Sequence, residues 1–307
     1  MSLPVLLQQM GVIFILAGIG FALQKKKIID EAASARLSAL VVDVCNPALI
    51  LSSILSGGIT ATHKDLLNAI LLGAVFYTVL VILGFIMPYI LRSKPENRRF
   101  YNLMTVYSNV GFLGIPLAKA ILPPNAILYV IVINVFYSLL FYTHGFLILG
   151  GGREGEKKHP LLRVLNPGTV MALFSLVVFW FDLKLPLILS GTVIHIGNAT
   201  VFLSMTLLGV SVARFRLGDA LKDLRIWAYI LLRMLLFPAA VALILRAVSF
   251  DESTTLALCL MGAVPVGTLP LIRAEKIGED TKILSSGVAL TTAVSLFTIT
   301  LLMAVFR

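Results

Sequence analysis

Two stretches of this chain, YSNVGFLGIPLAKAI at 107–121 and GAVPVGTLPLIRAEKIG at 262–278, set glycines, a proline and a cation inside otherwise apolar sequence. Proline lacks the amide hydrogen of a helical residue, and its ring strikes the carbonyl one turn back. Pro116 and Pro270 are therefore expected to kink or break the helices that hold them. In hydrocarbon, backbone groups freed in this way need a protein partner or a water-filled cavity. A break at each proline would create a half-helix N-terminus in mid-membrane. Unpaired amides and the positive end of the helix dipole make such a terminus a site for an anion. Gly114 and Gly267 flank the breaks and are counted with them as ligand-facing positions. Lys119 and Arg273, each three residues past its proline, would add positive potential. The same prolines would also serve as plain kinks, with the two cations reaching for the membrane interfaces.

Other polar residues fall inside apolar stretches. Asn109 lies seven residues before Pro116, about 10 Å along a helix at a 1.5 Å rise per residue. A neutral amide can donate to a carboxylate without desolvating a buried charge, although an interhelical hydrogen bond is the plainer role. Asn46 and Asn198 each precede an apolar run and are expected either to face the site or to bridge helices. Asn134 and Tyr137 are about one turn apart and would line the same cavity or pack. Asp43 is the candidate coupling carboxylate. Arg233, His144 and His195 are further ionisable suspects, because such groups are expensive in lipid.

These residues need elements to position them, and composition fixes the kind. Of the 307 residues 59% are hydrophobic and only 13% charged, and the mean hydropathy is +0.98. A soluble domain carries roughly 25% charged residues, so the chain reads as lipid-embedded. A membrane span needs about 20 apolar residues. Spans are expected at 5–23, 34–56, 66–91, 98–121, 125–149, 168–184, 187–212, 220–248, 253–277 and 282–306. Breaks fall at Gly57-Gly58, Pro95, Pro123-Pro124, Gly150-Gly151-Gly152, Pro186 and Asp251-Glu252. Threading ten spans places 19 of the 25 basic residues on one side, which marks that side as cytoplasmic. Lys25-Lys26-Lys27 follow the first apolar run rather than precede it, the reverse of a signal peptide. Both termini are then expected outside.

The polar segment 150–166 divides the ten spans into five and five, with the first repeat over 1–149 and the second over 167–307. An odd number per half requires the halves to be inverted, as is common in secondary transporters. Asn46 and Asn198 recur 152 positions apart, Pro116 and Pro270 154 apart, and Lys64-Asp65-Leu66 returns as Lys222-Asp223-Leu224.

The segments NVGFLGIPLAKA, AVPVGTLPLIRAEKIGED and NPALILSSIL resemble motifs of the auxin efflux carrier family, which includes plant PIN carriers and bacterial malonate- or malate-transporter-like proteins. The resemblance covers essentially the whole chain. It implies an all-α polytopic fold with ten transmembrane helices as two inverted five-helix repeats, the central segment being a shortened cytoplasmic linker. It implies a scaffold of helices 1, 2, 6 and 7 and a transport domain of helices 3–5 and 8–10. It also implies that the broken helices 4 and 9 cross at positions mapping to Pro116 and Pro270, and that the substrate-binding asparagine maps to Asn109. An elevator-like slide of that crossing past the scaffold follows, as does a homodimer.

The expected function is secondary transport of a small carboxylate in the bacterial inner membrane. The main rival is a sodium-coupled organic-anion symporter of bile-acid-symporter-like architecture. Adjoining carboxylates and carbonyls would mark a sodium site, and the fourth and ninth spans hold few acids. An enzyme is not expected, since no nucleophile–base pair, phosphate loop or metal spacing occurs. Cys45 and Cys259 sit apart in apolar runs, and no cofactor or nucleic-acid partner is implied.

Overall fold

A computed structural model of the chain describes residues 3–56, 60–150, 165–214 and 221–306, and every regular element among them is helical. Most of the expected linker at 150–166 and the Gly57-Gly58 break lie outside the described residues. The helices are α1 (Leu3–Lys25), α2 (Glu31–Leu55), α3 (His63–Ile90), α4 (Arg98–Val106), α5 (Val110–Ile121) and α6 (Ala126–Ile148). They continue as α7 (Pro167–Trp180), α8 (Leu187–Arg214), α9 (Leu224–Ala247), α10 (Glu252–Ala263), α11 (Thr268–Lys276) and α12 (Lys282–Val305). Seven of them, α1, α2, α3, α6, α8, α9 and α12, are long and apolar enough to cross a membrane.

Several helices start earlier than hydropathy suggests, because their first turns are polar and capped. Asp30 accepts from the Ala33 amide at 2.7 Å, so α2 begins at Glu31 rather than 34. Thr62 and Asp65 form a reciprocal capping box that starts α3 at His63 rather than 66. Asn166 accepts from the Thr169 amide, with Pro167 in the first turn of α7, where a missing amide hydrogen is harmless.

Three helices carry a widened, π-type turn that ends two residues before a proline. These turns are Val41–Cys45 before Pro47, Val110–Gly114 before Pro116, and Leu231–Leu236 before Pro238. Widening to a five-residue hydrogen-bond step lets the proline ring clear the carbonyl behind it, so these prolines do not end their helices.

The outside of the bundle is apolar. Leu187, Ile188, Leu147 and Phe297 are all more than two-thirds exposed, and Leu67, Leu71, Val75, Ile82 and Phe85 project outward along α3. An apolar surface of this extent belongs in lipid rather than water. Inside, α1 packs along α8, α8 along α2, and α2 along α7. In a second group, α3 packs on α4 and α6, and α10 packs on α6, α9 and α12.

The α1–α8 contact is backbone against backbone. A Cβ on Gly209 would stand 1.8 Å from the Ala17 carbonyl oxygen, and one on Gly20 would stand 1.8 Å from that of Thr206. Small residues let membrane helices approach this closely, and the packing then supplies the attraction that lipid cannot. Gly209→Ala is therefore expected to lower stability in detergent by at least about 2 kcal/mol, because backbone must move. Gly18→Ala, with nothing within 4 Å of its added methyl, should leave the thermal midpoint unchanged or higher. Equal midpoints for the two variants would contradict the packing.

Candidate functional site

Both spans expected to break do so, and the breaks meet. Between α4 and α5, Tyr107, Ser108 and Asn109 leave the helix; between α10 and α11, residues 264–267 do. The two interruptions run antiparallel, with Ser108 opposite Val266. The Asn109 amide donates to the Pro265 carbonyl at 2.7 Å, and the Gly267 amide donates to the Tyr107 carbonyl at 2.9 Å. A third donor, the Val266 amide, reaches the Thr291 hydroxyl on α12 at 3.2 Å. Backbone groups that lipid would leave stranded are thus satisfied by the other interruption. Gly267 eases the approach: a Cβ there would lie 3.0 Å from the Tyr107 oxygen and 3.1 Å from that of Ser108, so the facing backbone would have to give by a few tenths of an ångström.

The position of the breaks corrects the sequence expectation. Neither break is at Pro116 or Pro270. Pro116 is absorbed by the widened turn at 110–114, and Pro270 falls in the first turn of α11, where its missing hydrogen has no helical partner to lose. The residue that ends α10 is Pro265, which disfavours helical geometry at the residue before it. Val264 accordingly turns extended, at φ −60 and ψ 138. The fourth span breaks without a proline. Asn109 is consequently not part of a helix leading to Pro116, but the cap residue of α5, with φ −81 and ψ 58.

Around this cap lies the polar cluster. The Asn109 carbonyl accepts from Leu113 and Gly114, while its side chain is half-buried and makes no hydrogen bond among the described residues. Gly111 and Phe112 follow it, both half-exposed, in a first turn whose amides have few helical acceptors. The Asn134 side-chain oxygen is close to Gly111, 3.6 Å from where a Cβ would stand. Tyr137, one turn along α6, meets Tyr107 edge-on at 5.8 Å, and Tyr107 in turn shares a 2.8 Å hydrogen bond with His144 Nδ1. Asn46 reaches in from α2: its amide nitrogen donates to the Gly111 carbonyl at 2.7 Å. That carbonyl is the one the Pro116 nitrogen would have bonded in the five-residue register of this turn, since Ile115 bonds Val110. Asn46 thus repairs what Pro116 removes.

At the C-terminal ends of α4 and α10, on the other side of the breaks, sits Arg233, only 1% exposed. Its Nε donates to the Thr105 carbonyl at 2.8 Å and its Nη1 to that of Gly262. Tyr229, one turn earlier on α9, donates to the Met104 carbonyl at 2.7 Å. The last carbonyls of α4 and of α10 are capped by one helix. Reading the sequence marks Arg233 as an ionisable suspect but gives no sign of these partners.

Other expected site residues lie elsewhere. Asn198 is exposed on α8, and Thr200 is the residue there that bridges to α2, donating to the Cys45 carbonyl at 2.9 Å. Gly114 is buried against Met261, Lys119 is half-buried near the far end of α5, and Arg273 lies over the Phe146 ring at 4.4 Å. Asp43 is exposed on α2. His195 is also exposed. A cavity of about 790 Å³ lies away from the crossing, between the far ends of α2 and α7, lined by Ile54, His63, Phe179 and Lys184 among others.

A lipid-facing bundle whose polar center is made of interrupted helices is the architecture of a multi-pass membrane protein. Comparison with known proteins agrees: residues 5–303 match the family described as membrane transport protein, so the chain belongs to that family, the one that holds the auxin efflux carriers. It is also 23% identical over 303 residues to a protein of Methanocaldococcus jannaschii described as an uncharacterized transporter, covering 94% of this chain and 95% of that one.

The Asn46 bond makes a specific prediction. Asn46→Ala leaves the Gly111 carbonyl without its donor and should lower stability by about 1–3 kcal/mol. In a Pro116→Ala background the backbone amide returns, and the same substitution should have a much smaller effect. A double-mutant cycle of thermal unfolding measures the difference, and strict additivity would contradict the assignment.

Proposed function

We propose that the protein is a secondary carrier that moves a small organic anion, a carboxylate of the auxin, malonate or malate kind, by elevator-type alternating access. The observation that carries this reading is the crossing, where the N-termini of α5 and α11 meet beside the amides of Asn109, Asn134 and Asn46. Helix N-termini favour negative charge, and neutral amides orient a carboxylate without competing with its charge. Thr268, exposed at the start of α11, extends the same face.

Ten crossings follow if the seven long helices are joined by α7 and by the two interrupted spans, α4–α5 and α10–α11. Contacts at the ends support that count. Arg99 pairs with Glu279, and Arg214 with Glu31, each joining segments at or beside helix ends that ten crossings put on the basic, cytoplasmic side. Asn125 bonds Thr60, and His63 contacts the Trp180 carbonyl, on the opposite side. Both termini then lie outside the cytoplasm of a bacterial inner membrane.

An inverted repeat is supported by one spacing. Ser108 and Val266 are 158 positions apart, and so are Lys64 and Lys222, whose following aspartates both lie in capped helix starts, Asp65 as the third residue of α3 and Asp223 as the cap of α9. This offset pairs Asn46 with buried Ser204 rather than with Asn198. The packing groups suit a scaffold of α1, α2, α7 and α8 and a mobile body of α3–α6 and α9–α12. The Asn46–Gly111 bond would then join the two bodies. A homodimer through the scaffold is part of the same proposal.

Thermal unfolding against a panel of mono- and dicarboxylates tests the site. A binding carboxylate at about 100 times its Kd should raise the midpoint by about 5 °C or more. Asn109→Ala should lose most of that shift, and Asn109→Asp, which adds like charge, all of it. Equal shifts in the parent and in Asn109→Ala would remove Asn109 from the site.

A further inference from the structure

We infer that Arg233 is a tethered counter-cation, occupying the carbonyl ends of the interrupted spans where a coupling sodium ion would otherwise bind, so that this carrier works without sodium. The inference rests on the carrier reading above and adds to it the identity of the charge that stabilises the crossing.

Each helix C-terminus carries roughly half a negative charge and four carbonyls without helical partners. Interrupting two spans in mid-membrane brings two such ends together away from water. A cation is required there, and oxygen-rich carbonyl ends are suited to a hard ion such as sodium. Five of these eight carbonyls are already taken. Thr105 and Gly262, one from each end, accept from the same guanidinium, and Met104 accepts from Tyr229. Leu103 and Leu260 accept from the amides of Tyr107 and Val264.

The guanidinium is built in rather than adventitious. Arg233 stands on the widened turn Leu231–Leu236, four residues after Tyr229, so both side chains leave α9 on one face. Its charge lies 5.0 Å from the Phe237 ring center, and it pairs with no carboxylate among the described residues. Arginine stays protonated at any physiological pH, so this charge is constant through a cycle. A sodium ion would have to bind and leave. With Arg233 and Asn109 at opposite ends of the same short crossing, the fixed cation also offsets the charge of the arriving anion. No group of three His, Cys, Asp or Glu able to hold a metal occurs among the described residues.

The test needs no substrate, so its failure is separable from failure of the carboxylate screen. The parent protein, Arg233→Gln and Arg233→Lys are purified and unfolded thermally in sodium chloride and in choline chloride at equal ionic strength. Hydrogen exchange is followed in peptides covering 98–121 and 252–276. The parent should have the same midpoint in both salts. Arg233→Gln should unfold about 10 °C lower in choline, with faster exchange in both peptides, because two buried helix ends lose their partner. Sodium should recover part of that loss in Arg233→Gln alone, since the freed carbonyls become ligands. Arg233→Lys, which keeps the charge, should be intermediate and indifferent to sodium, and it serves if Arg233→Gln does not fold. Stabilisation of the parent by sodium would overturn the inference. So would an Arg233→Gln protein equally destabilised in both salts, or an Arg233→Lys protein that needs sodium.

Discussion

Two main-chain hydrogen bonds, from Asn109 to Pro265 and from Gly267 to Tyr107, join segments more than 150 residues apart at the center of a bundle that faces lipid. Hydrocarbon offers no water to satisfy a broken helix, so a lone interruption would strand several polar groups at several kcal/mol each. Crossing a second interruption removes much of that penalty, because each break supplies the partner the other lacks. The rest of the architecture follows from keeping these two segments in register. Gly267 leaves room for the close approach, Thr291 presents its hydroxyl to the Val266 amide, and α10 packs against α6 and α12.

The crossing also separates charge. Carbonyl ends converge on Arg233, while amide ends open beside Asn109, Gly111 and Asn134. One short stretch of backbone therefore presents a surface that prefers a cation and a surface that prefers an anion. The first is filled by a side chain. The second is left with an uncommitted Asn109 side chain, which suits it to the ligand role proposed for it. Asn46 ties this second surface to α2 through a single hydrogen bond. A bond of that kind is worth about 1 kcal/mol net, strong enough to favour one arrangement and weak enough to exchange.

Much of this was legible in the residues. The apolar stretches mark the spans, and glycine and proline in mid-span mark 107–121 and 262–278 as the irregular ones. What local rules misplace is the point of rupture. Pro116 and Pro270 are the visible breakers, yet a widened turn absorbs one and a helix start absorbs the other. Pro265 acts through the residue before it, a signal that was present in Val264-Pro265. No local signal marks Tyr107-Ser108-Asn109, because its geometry is imposed from across the bundle. The same holds for Arg233, whose acceptors lie 128 and 29 residues away, and for Asn46, whose acceptor lies 65 away. Asn198 looked like the mate of Asn46 by sequence context. On α8 it is exposed, and Thr200 two residues on makes the bond to α2 instead.

The meeting of the two interruptions can be probed directly with a disulfide. Ser108 and Val266 form a non-hydrogen-bonded antiparallel pair, whose Cα atoms typically stand about 4.5 Å apart, within disulfide range. With Cys45 and Cys259 replaced by alanine, Ser108→Cys and Val266→Cys should cross-link under mild oxidation in membranes, as read by mass spectrometry of the joined peptides. Each single variant should give no intramolecular link. A folded double variant whose two thiols stay free and separately alkylated under oxidation would mean that the spans do not cross, and the anion site proposed on that crossing would fall with it.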